Sequence, residues 1–321
     1  MRRTITTVLV GVIASFAPGL VHAQDVIRVG QPNWFAGELI GQMLSTIMEE
    51  RLGVETELVS GTNPELFAGI AAGDGSVDIH SDIWMPNHAG WVEPMLESGD
   101  IVLSEARYDG VDALCVPRYV SDEYDINTVQ DLISERGREI FDLDDDGRGE
   151  IWIGAEGWGS TEVMQVKMRD YGLDQHLDGM LMGEGEFQDI LFDRQASREP
   201  VAFYCYQPHV WFALDYITVL EEPPHDPANY IKVSSADSDT WLEDSRIETA
   251  DLIKDVQVGF SSRLRDSHPQ VATLLSNFGL SGEELTELIF LVQVKEIGMD
   301  FVVDDWVALN GDRIDAWLSG S

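Results

Sequence analysis

Three aromatic segments hold the residue types that could do chemistry together: Asp82-Ile83-Trp84-Met85-Pro86-Asn87-His88, Glu156-Gly157-Trp158-Gly159-Ser160 and Phe203-Tyr204-Cys205-Tyr206-Gln207-Pro208. Each sits where a strand-like run breaks, at residues 77–83, 151–154 and 201–205. In an open α/β sheet, ligands gather at the carboxyl ends of strands, so Trp84, Trp158 and Tyr206 are expected to face one site. Rings held there present negative π-faces, and several together can enclose a cation of the quaternary ammonium kind. Trp34, in Gln31-Pro32-Asn33-Trp34 after the first strand, stands where a fourth wall could enter. Gly159 and Ser160 open a helix carrying Val163, Met164 and Met168, whose free N–H groups and dipole favour an anion. Tyr204 and Trp211 fit packing at least as well as ligand contact, while Trp91, Trp152, Trp241, Trp306 and Trp317 read as structural.

The elements that must position these residues alternate between strand and helix. Residues 26–29 form a first strand, after which Leu39, Ile40, Met43, Leu44, Ile47, Met48 and Leu52 recur at helical spacing until Gly53. A strand at 55–59 follows, then a helix capped by Asn63 with Pro64 at its first position, then the strand at 77–83. The loop-rich stretch 98–110 is the expected first crossing into a second unit: strand 111–116, helix near 128–135, strand 151–154, helix 161–171, strand 201–205. Residues 221–239 have no sustained period and read as a surface connection. A returning strand at 256–260 precedes helices at 269–277, 282–296 and 300–318. The reading is α/β, with one lobe from 24–110 plus 256–321 and another from 111–255, joined by more than one crossing around a hinged central cleft.

Residues 1–23 combine Arg2 and Arg3, an apolar run at 8–17 and small residues before Gln24, which reads as a secretory signal peptide cleaved after Ala23. No later stretch approaches ~20 uninterrupted apolar residues, so no membrane helix is expected. The formal net charge of -38 repels nucleic acid and anionic membranes, and the dispersed acids read as a solvated surface. Cys115 and Cys205 enter an oxidising compartment; a disulfide between neighbouring strands stays open, with two buried free thiols the favoured reading. Asp142, Asp144 and Asp146 with Glu150 have the D-x-D-x-D-G opening of a calcium loop, but position twelve is Ile153 rather than a bidentate glutamate. A weak structural Ca²⁺ site and an Asp-rich turn are equally open there.

The three aromatic segments, in this order and at this separation, resemble the substrate-binding proteins of glycine betaine and proline betaine ABC importers. In that family they run W-x-P-x-H, P-G-W-G-C and Y-x-W-x-P, and the likeness extends over nearly all of the chain after the leader, including Ile70-Ala71-Ala72-Gly73-Asp74 and the stretch from Phe141-Asp142 to Gly147. The resemblance implies a two-lobed type II periplasmic binding protein, monomeric and without a cofactor, that delivers a small methylated onium solute to a permease driven by ATPase subunits. It implies that Trp84 and Trp158 face the onium, that Tyr206 takes the place of the third tryptophan, and that His88, Gly159 and Ser160 hold the ligand carboxylate. Ser160 replaces the family cysteine, which keeps the backbone donor and removes a local disulfide.

Glycine betaine, proline betaine and dimethylsulfoniopropionate satisfy this scheme. Glu156 would repel a ligand carboxylate unless it points at the onium, and so keeps choline and trimethylamine N-oxide open as ligands; the N-oxide, once protonated, could share its proton with Glu156. A reading of a different class is a secreted hydrolase of an onium ester, with His88 and Asp82 in acid–base roles, although no G-x-S-x-G elbow supports it. No G-x-x-x-x-G-K-[ST] loop is present either, so the energy of transport belongs to partner subunits.

Overall fold

The computed structural model describes residues 26–142 and 146–320, so the expected signal peptide and Asp144 lie outside the described residues. Twelve strands are described: β1 (Ile27–Pro32), β2 (Thr56–Gly61), β3 (Ile79–Met85), β4 (Ile101–Leu103), β5 (Tyr108–Pro117), β6 (Gly149–Trp152), β7 (Leu177–Met180), β8 (Ala202–Gln207), β9 (Ile217–Val219), β10 (Tyr230–Ile231), β11 (Arg246–Ile247) and β12 (Lys254–Ser261). Ten of them form one curled sheet in the order β2-β1-β3-β12-β5-β8-β6-β7, with β4 on β12 and β9 on β5. The same small motif occurs twice: β2-β1-β3 and β7-β6-β8 are parallel triplets, each continued by an antiparallel strand. Parallel strands need crossover helices, and these bury both sheet faces.

Two strands join the halves. β5 pairs through Tyr108, Asp109 and Gly110 with β12, then through residues 111–115 with β8. β12 in turn pairs with β3, so both strands run from one half toward the other. The helix Phe35–Ile47 packs on β1 and β3 and continues through a single π-turn at Met48–Leu52, which Gly53 ends with φ at 64°. In the next helix, Asn63–Ala72, the cap is Thr62 rather than Asn63: Thr62 and Glu65 form a reciprocal capping box, and Pro64 sits in the first turn. The C-terminal run expected as one helix at 300–318 is two, Met299–Leu309 and Gly311–Ser319, divided at Asn310.

The thiol reading is corrected. Cys115 and Cys205 form a disulfide with a Cα–Cα distance of 5.9 Å. Register explains it: Cys205 lies opposite Ala113 and Cys115 opposite Phe203, so the two side chains share one face on adjacent strands as diagonal neighbours.

Candidate ligand-binding site

The aromatic residues collect where the strand ends of the two triplets face each other. Trp34 follows β1 and caps the helix Phe35–Ile47; Trp84 is the penultimate residue of β3; Trp158 caps the helix Gly159–Asp170 after β6; Tyr204 and Tyr206 lie on β8. All five are between 3% and 6% exposed. Their planes make a box: Trp34 meets Trp158 at 80°, Trp158 meets Tyr206 at 90°, and Tyr206 meets Trp84 at 87°, with centroids 5.8, 6.3 and 5.6 Å apart. Asn63, Asn87, His88, Gly159 and Ser160 complete the lining of the space between them. Gly110 lets the Trp84 ring lie against β5, since a Cβ there would come within 2.5 Å of that ring.

The polar groups of this cavity are neutral. The His88 Nδ1 accepts from the backbone N–H of Trp84 at 3.1 Å, which leaves its Nε2 as the protonated ring nitrogen. Burial, with His80 and Lys232 nearby, holds its pKa well below the usual histidine range. Burial likewise keeps the Tyr204 and Tyr206 phenols protonated far above their ordinary range. The Tyr206 hydroxyl faces Glu184 without a well-formed hydrogen bond. The helix start at Gly159 packs directly on the loop before Ala89: a Cβ on Gly159 would lie 2.9 Å from the Asn87 carbonyl oxygen and from the His88 ring. Free N–H groups at that helix start are therefore within the same enclosure as His88.

Hydrogen bonds cross the cleft around the box. The Trp158 Nε1 donates to Asn33 Oδ1 at 2.8 Å, the Asn63 Nδ2 to the Gly157 carbonyl at 2.9 Å, and the backbone N–H of Phe35 to Glu184 Oε2 at 2.9 Å. Lys232 Nζ spans from Glu162 Oε2 at 2.8 Å to the Asn87 carbonyl at 3.0 Å. Asn87 Nδ2 donates to Asp112 Oδ2 at 2.9 Å, and Tyr204 donates its hydroxyl to Asp112 Oδ1 at 2.6 Å. The two halves are closed on each other.

With this geometry in view, the matching family model is decisive: the substrate binding domain of ABC-type glycine betaine transport systems matches residues 25–309. The chain belongs to this OpuAC family. It is a substrate-binding component of an ABC importer, in a family of extracytoplasmic binding proteins. Solved structures share its fold. A choline binding protein in complex with choline is 17% identical with a TM-score of 0.70, covering 92% of each chain. The glycine betaine/L-proline-binding protein of Borrelia burgdorferi is 18% identical with a TM-score of 0.71, covering 91% of this chain and 96% of its own. Lactococcal OpuAC, in its closed form complexed with glycine betaine, is 15% identical with a TM-score of 0.65, covering 92% and 99%. No curated protein matches the chain in sequence. Among the described residues no helix is long and apolar enough to cross a membrane.

Of the expected site residues of this OpuAC-family chain, Trp34, Trp84, Trp158, Tyr206, His88, Gly159 and Ser160 come together around the cavity. Glu156 does not. It is exposed on the turn before Trp158 and lines the outer mouth of the cleft with Asn33, Thr62 and Gly157, because the φ of 82° at Gly157 reverses the chain between it and the ring. The acid–base pair of the hydrolase reading is not formed, since the Asp82 oxygens accept from Trp34, Trp84 and Tyr108 while His88 Nδ1 is taken by the Trp84 backbone. Tyr204, a weaker candidate whose spacing fits packing at least as well, lines the cavity two residues before Tyr206 on the same strand face. Asn63 and Asn87 were not anticipated as lining; Asn87 lies inside the Trp84–His88 segment, and nothing in the sequence marks Asn63 beyond its place at a helix start. Carboxylate oxygens of Asp142, Asp146 and Glu150 lie within 4.8 Å of one another, away from the cavity.

Proposed function

We propose that this chain captures a methylated onium compatible solute in the aromatic box and presents the closed form to a membrane permease and its ATPase subunits. The observation that carries the reading is the box itself: successive perpendicular ring pairs, all buried, with no aliphatic wall among the lining residues. A methylated cation fills such a space with each methyl against a π-face, and each desolvated contact contributes up to ~2 kcal/mol. Trp34, Trp84, Trp158 and Tyr206 are the walls. His88 Nε2 and the N–H groups of Gly159 and Ser160 take the carboxylate of glycine betaine, proline betaine or dimethylsulfoniopropionate. Trp34, Trp84 and His88 belong to a lobe of residues 24–110 plus 256–321, the rest to a lobe of 111–255; the pairing of β5 and β12 at residues 108–110 and 254–256 supports that division. The reading includes a periplasmic monomer whose leader ends at Ala23, and it concerns binding without turnover.

A second reading, choline or trimethylamine N-oxide, is favoured by one observation: none of the ten lining residues is Lys or Arg, so a ligand carboxylate would meet only neutral donors. Calorimetric titration against glycine betaine, proline betaine, dimethylsulfoniopropionate, choline and trimethylamine N-oxide tests both. Micromolar or tighter binding of a carboxylate-bearing solute, displaced poorly by choline and the N-oxide, is the expected result. Preferential binding of either carboxylate-free ligand establishes the second reading, and binding of none of the five rejects the onium assignment.

A further inference from the structure

Behind the box stands a carboxylate that the binding scheme above does not use. Asp82 on β3 is fully buried. Its Oδ2 accepts from the Trp34 Nε1 at 2.6 Å and from the Trp84 Nε1 at 3.0 Å, and its Oδ1 accepts from the Tyr108 hydroxyl at 2.5 Å. All three donors are neutral, and among the described residues no basic side chain pairs with it. Burial pushes its pKa up while the hydrogen bonds from Tyr108, Trp34 and Trp84 pull it back toward the ionised form, and an ionised carboxylate with no counter-charge is an expensive arrangement in a protein interior. Two of its donors are cage walls, so one group fixes the rotation of both indoles. An indole whose N–H donates to a carboxylate is also polarised toward its ring, which makes the π-face a better partner for a cation.

We propose that Asp82 is the counter-charge of the cage: it positions Trp34 and Trp84 and makes the site select a positively charged guest over a neutral guest of the same shape. The inference rests on the cage reading above. Trp158 supplies an internal control, because its indole donates to the neutral Asn33 Oδ1 instead. Asp82 has no contact with the ligand in this scheme; it acts through the rings and through the field inside a water-poor enclosure.

The test uses guests that differ only in charge: choline and glycine betaine against their tert-butyl analogues, in which carbon replaces the ammonium nitrogen. The pair whose onium member binds wild type is titrated against wild type and Asp82→Asn, a near-isosteric change that keeps an acceptor for the indoles. Asp82→Asn should weaken the onium by about tenfold or more while changing the tert-butyl analogue by less than about threefold, since removing a nearby charge acts on the cation alone. Equal losses for both guests, or no loss for either, would overturn the proposal and leave Asp82 a structural residue. If Asp82→Asn does not fold, Trp84→Phe and Trp158→Phe decide. Both changes weaken a π-face, but only Trp84→Phe also withdraws a donor from Asp82, so Trp84→Phe should narrow the preference for the onium more than Trp158→Phe does; equal effects would overturn the idea. A wild type that binds no onium at all removes the cage reading and this inference together, whereas onium binding with unchanged selectivity in Asp82→Asn removes the inference alone.

Discussion

Substitution at Trp158 separates what a cage ring does from what its N–H does. In the proposed scheme the ring is a wall, perpendicular to Tyr206 and set at 80° to Trp34, while its Nε1 holds Asn33 across the cleft at 2.8 Å. A desolvated cation–π contact contributes up to ~2 kcal/mol and a neutral hydrogen bond about 1 kcal/mol. Trp158→Phe keeps a ring face and loses the cross-cleft bond, so it should raise the Kd by about fivefold. Trp158→Leu loses both, about 3 kcal/mol together, and should raise the Kd by on the order of a hundredfold. The side chain is 4% exposed and also packs against Trp152 and Tyr204, so the leucine variant should lose roughly 2–4 kcal/mol of folding stability as well. Calorimetric titration at a temperature well below the melting point of each variant isolates the binding term, and melts of the ligand-free proteins measure the folding term. A folded Trp158→Leu that binds the solute within twofold of wild type would show that Trp158 is not a wall.

Tyr206→Phe should cost less than about threefold in affinity and Tyr206→Ala about tenfold or more, because the ring face rather than the poorly bonded hydroxyl meets the cation; equal losses would point to the hydroxyl. The double variant Cys115→Ser/Cys205→Ser should lower the unfolding free energy by about 2–4 kcal/mol in urea titrations, since the disulfide joins residues 90 apart in the chain, and coincident unfolding curves would contradict this. His80 is held neutral by burial down to about 3, with Nδ1 accepting from the Asp82 N–H and Nε2 bonded to Asn63 Oδ1. Its folded pKa is therefore depressed, so the stability it contributes is complete above the unfolded value of ~6.5 and is lost as pH falls toward 3, at up to about 1.4 kcal/mol per pH unit. Urea midpoints for His80→Gln should fall less steeply than wild type between those limits; parallel slopes would refute the assignment. Small-angle scattering should show a smaller radius of gyration with saturating solute than without, and identical radii would remove the hinge from the mechanism.

Much of the site was legible because it follows from strand ends. Trp34, Trp84, Trp158 and Tyr206 each stand just after or at the close of a short apolar strand, and that alone directs them to one edge of an α/β sheet. What depended on register or on a turn was not legible. The disulfide rests on the alignment of β5 with β8, and a slip of one residue would have put the two sulfurs on opposite faces. Glu156 is two residues from Trp158, yet the left-handed Gly157 between them turns it to the outer mouth of the cleft. The helix Glu184–Ser197 was not legible because its apolar stretch is short, with Phe187 and Leu191 buried and Phe192 partly so, and β7 is four residues long. Asp82 was weighed only as an acid–base group, because nothing in the sequence says that two indoles and a phenol converge on it.

The same geometry bears on why capture and closure are one event in the proposed mechanism. Rings from β1 and β3 stand on one side of the space and rings from β6 and β8 on the other, so the box exists only when the halves meet. The bonds that join them, such as Trp158 to Asn33, Asn63 to Gly157 and Phe35 to Glu184, replace bonds to water in an open cleft, and each adds about 1 kcal/mol net. Against the freedom of a hinge, a few such bonds leave the empty protein near balance between open and closed. From such a balance, moving the equilibrium to 99:1 closed takes about 2.7 kcal/mol of differential affinity, half of the span from 1:99 to 99:1. A solute first held by Trp34 and Trp84 gains two further ring contacts at up to ~2 kcal/mol each and charge-assisted bonds at the Gly159 helix start of about 1.5–3 kcal/mol, which reaches that figure. The far-side contacts thus set the closed population, and a permease that reads only the closed form would be presented with filled binding protein in preference to empty.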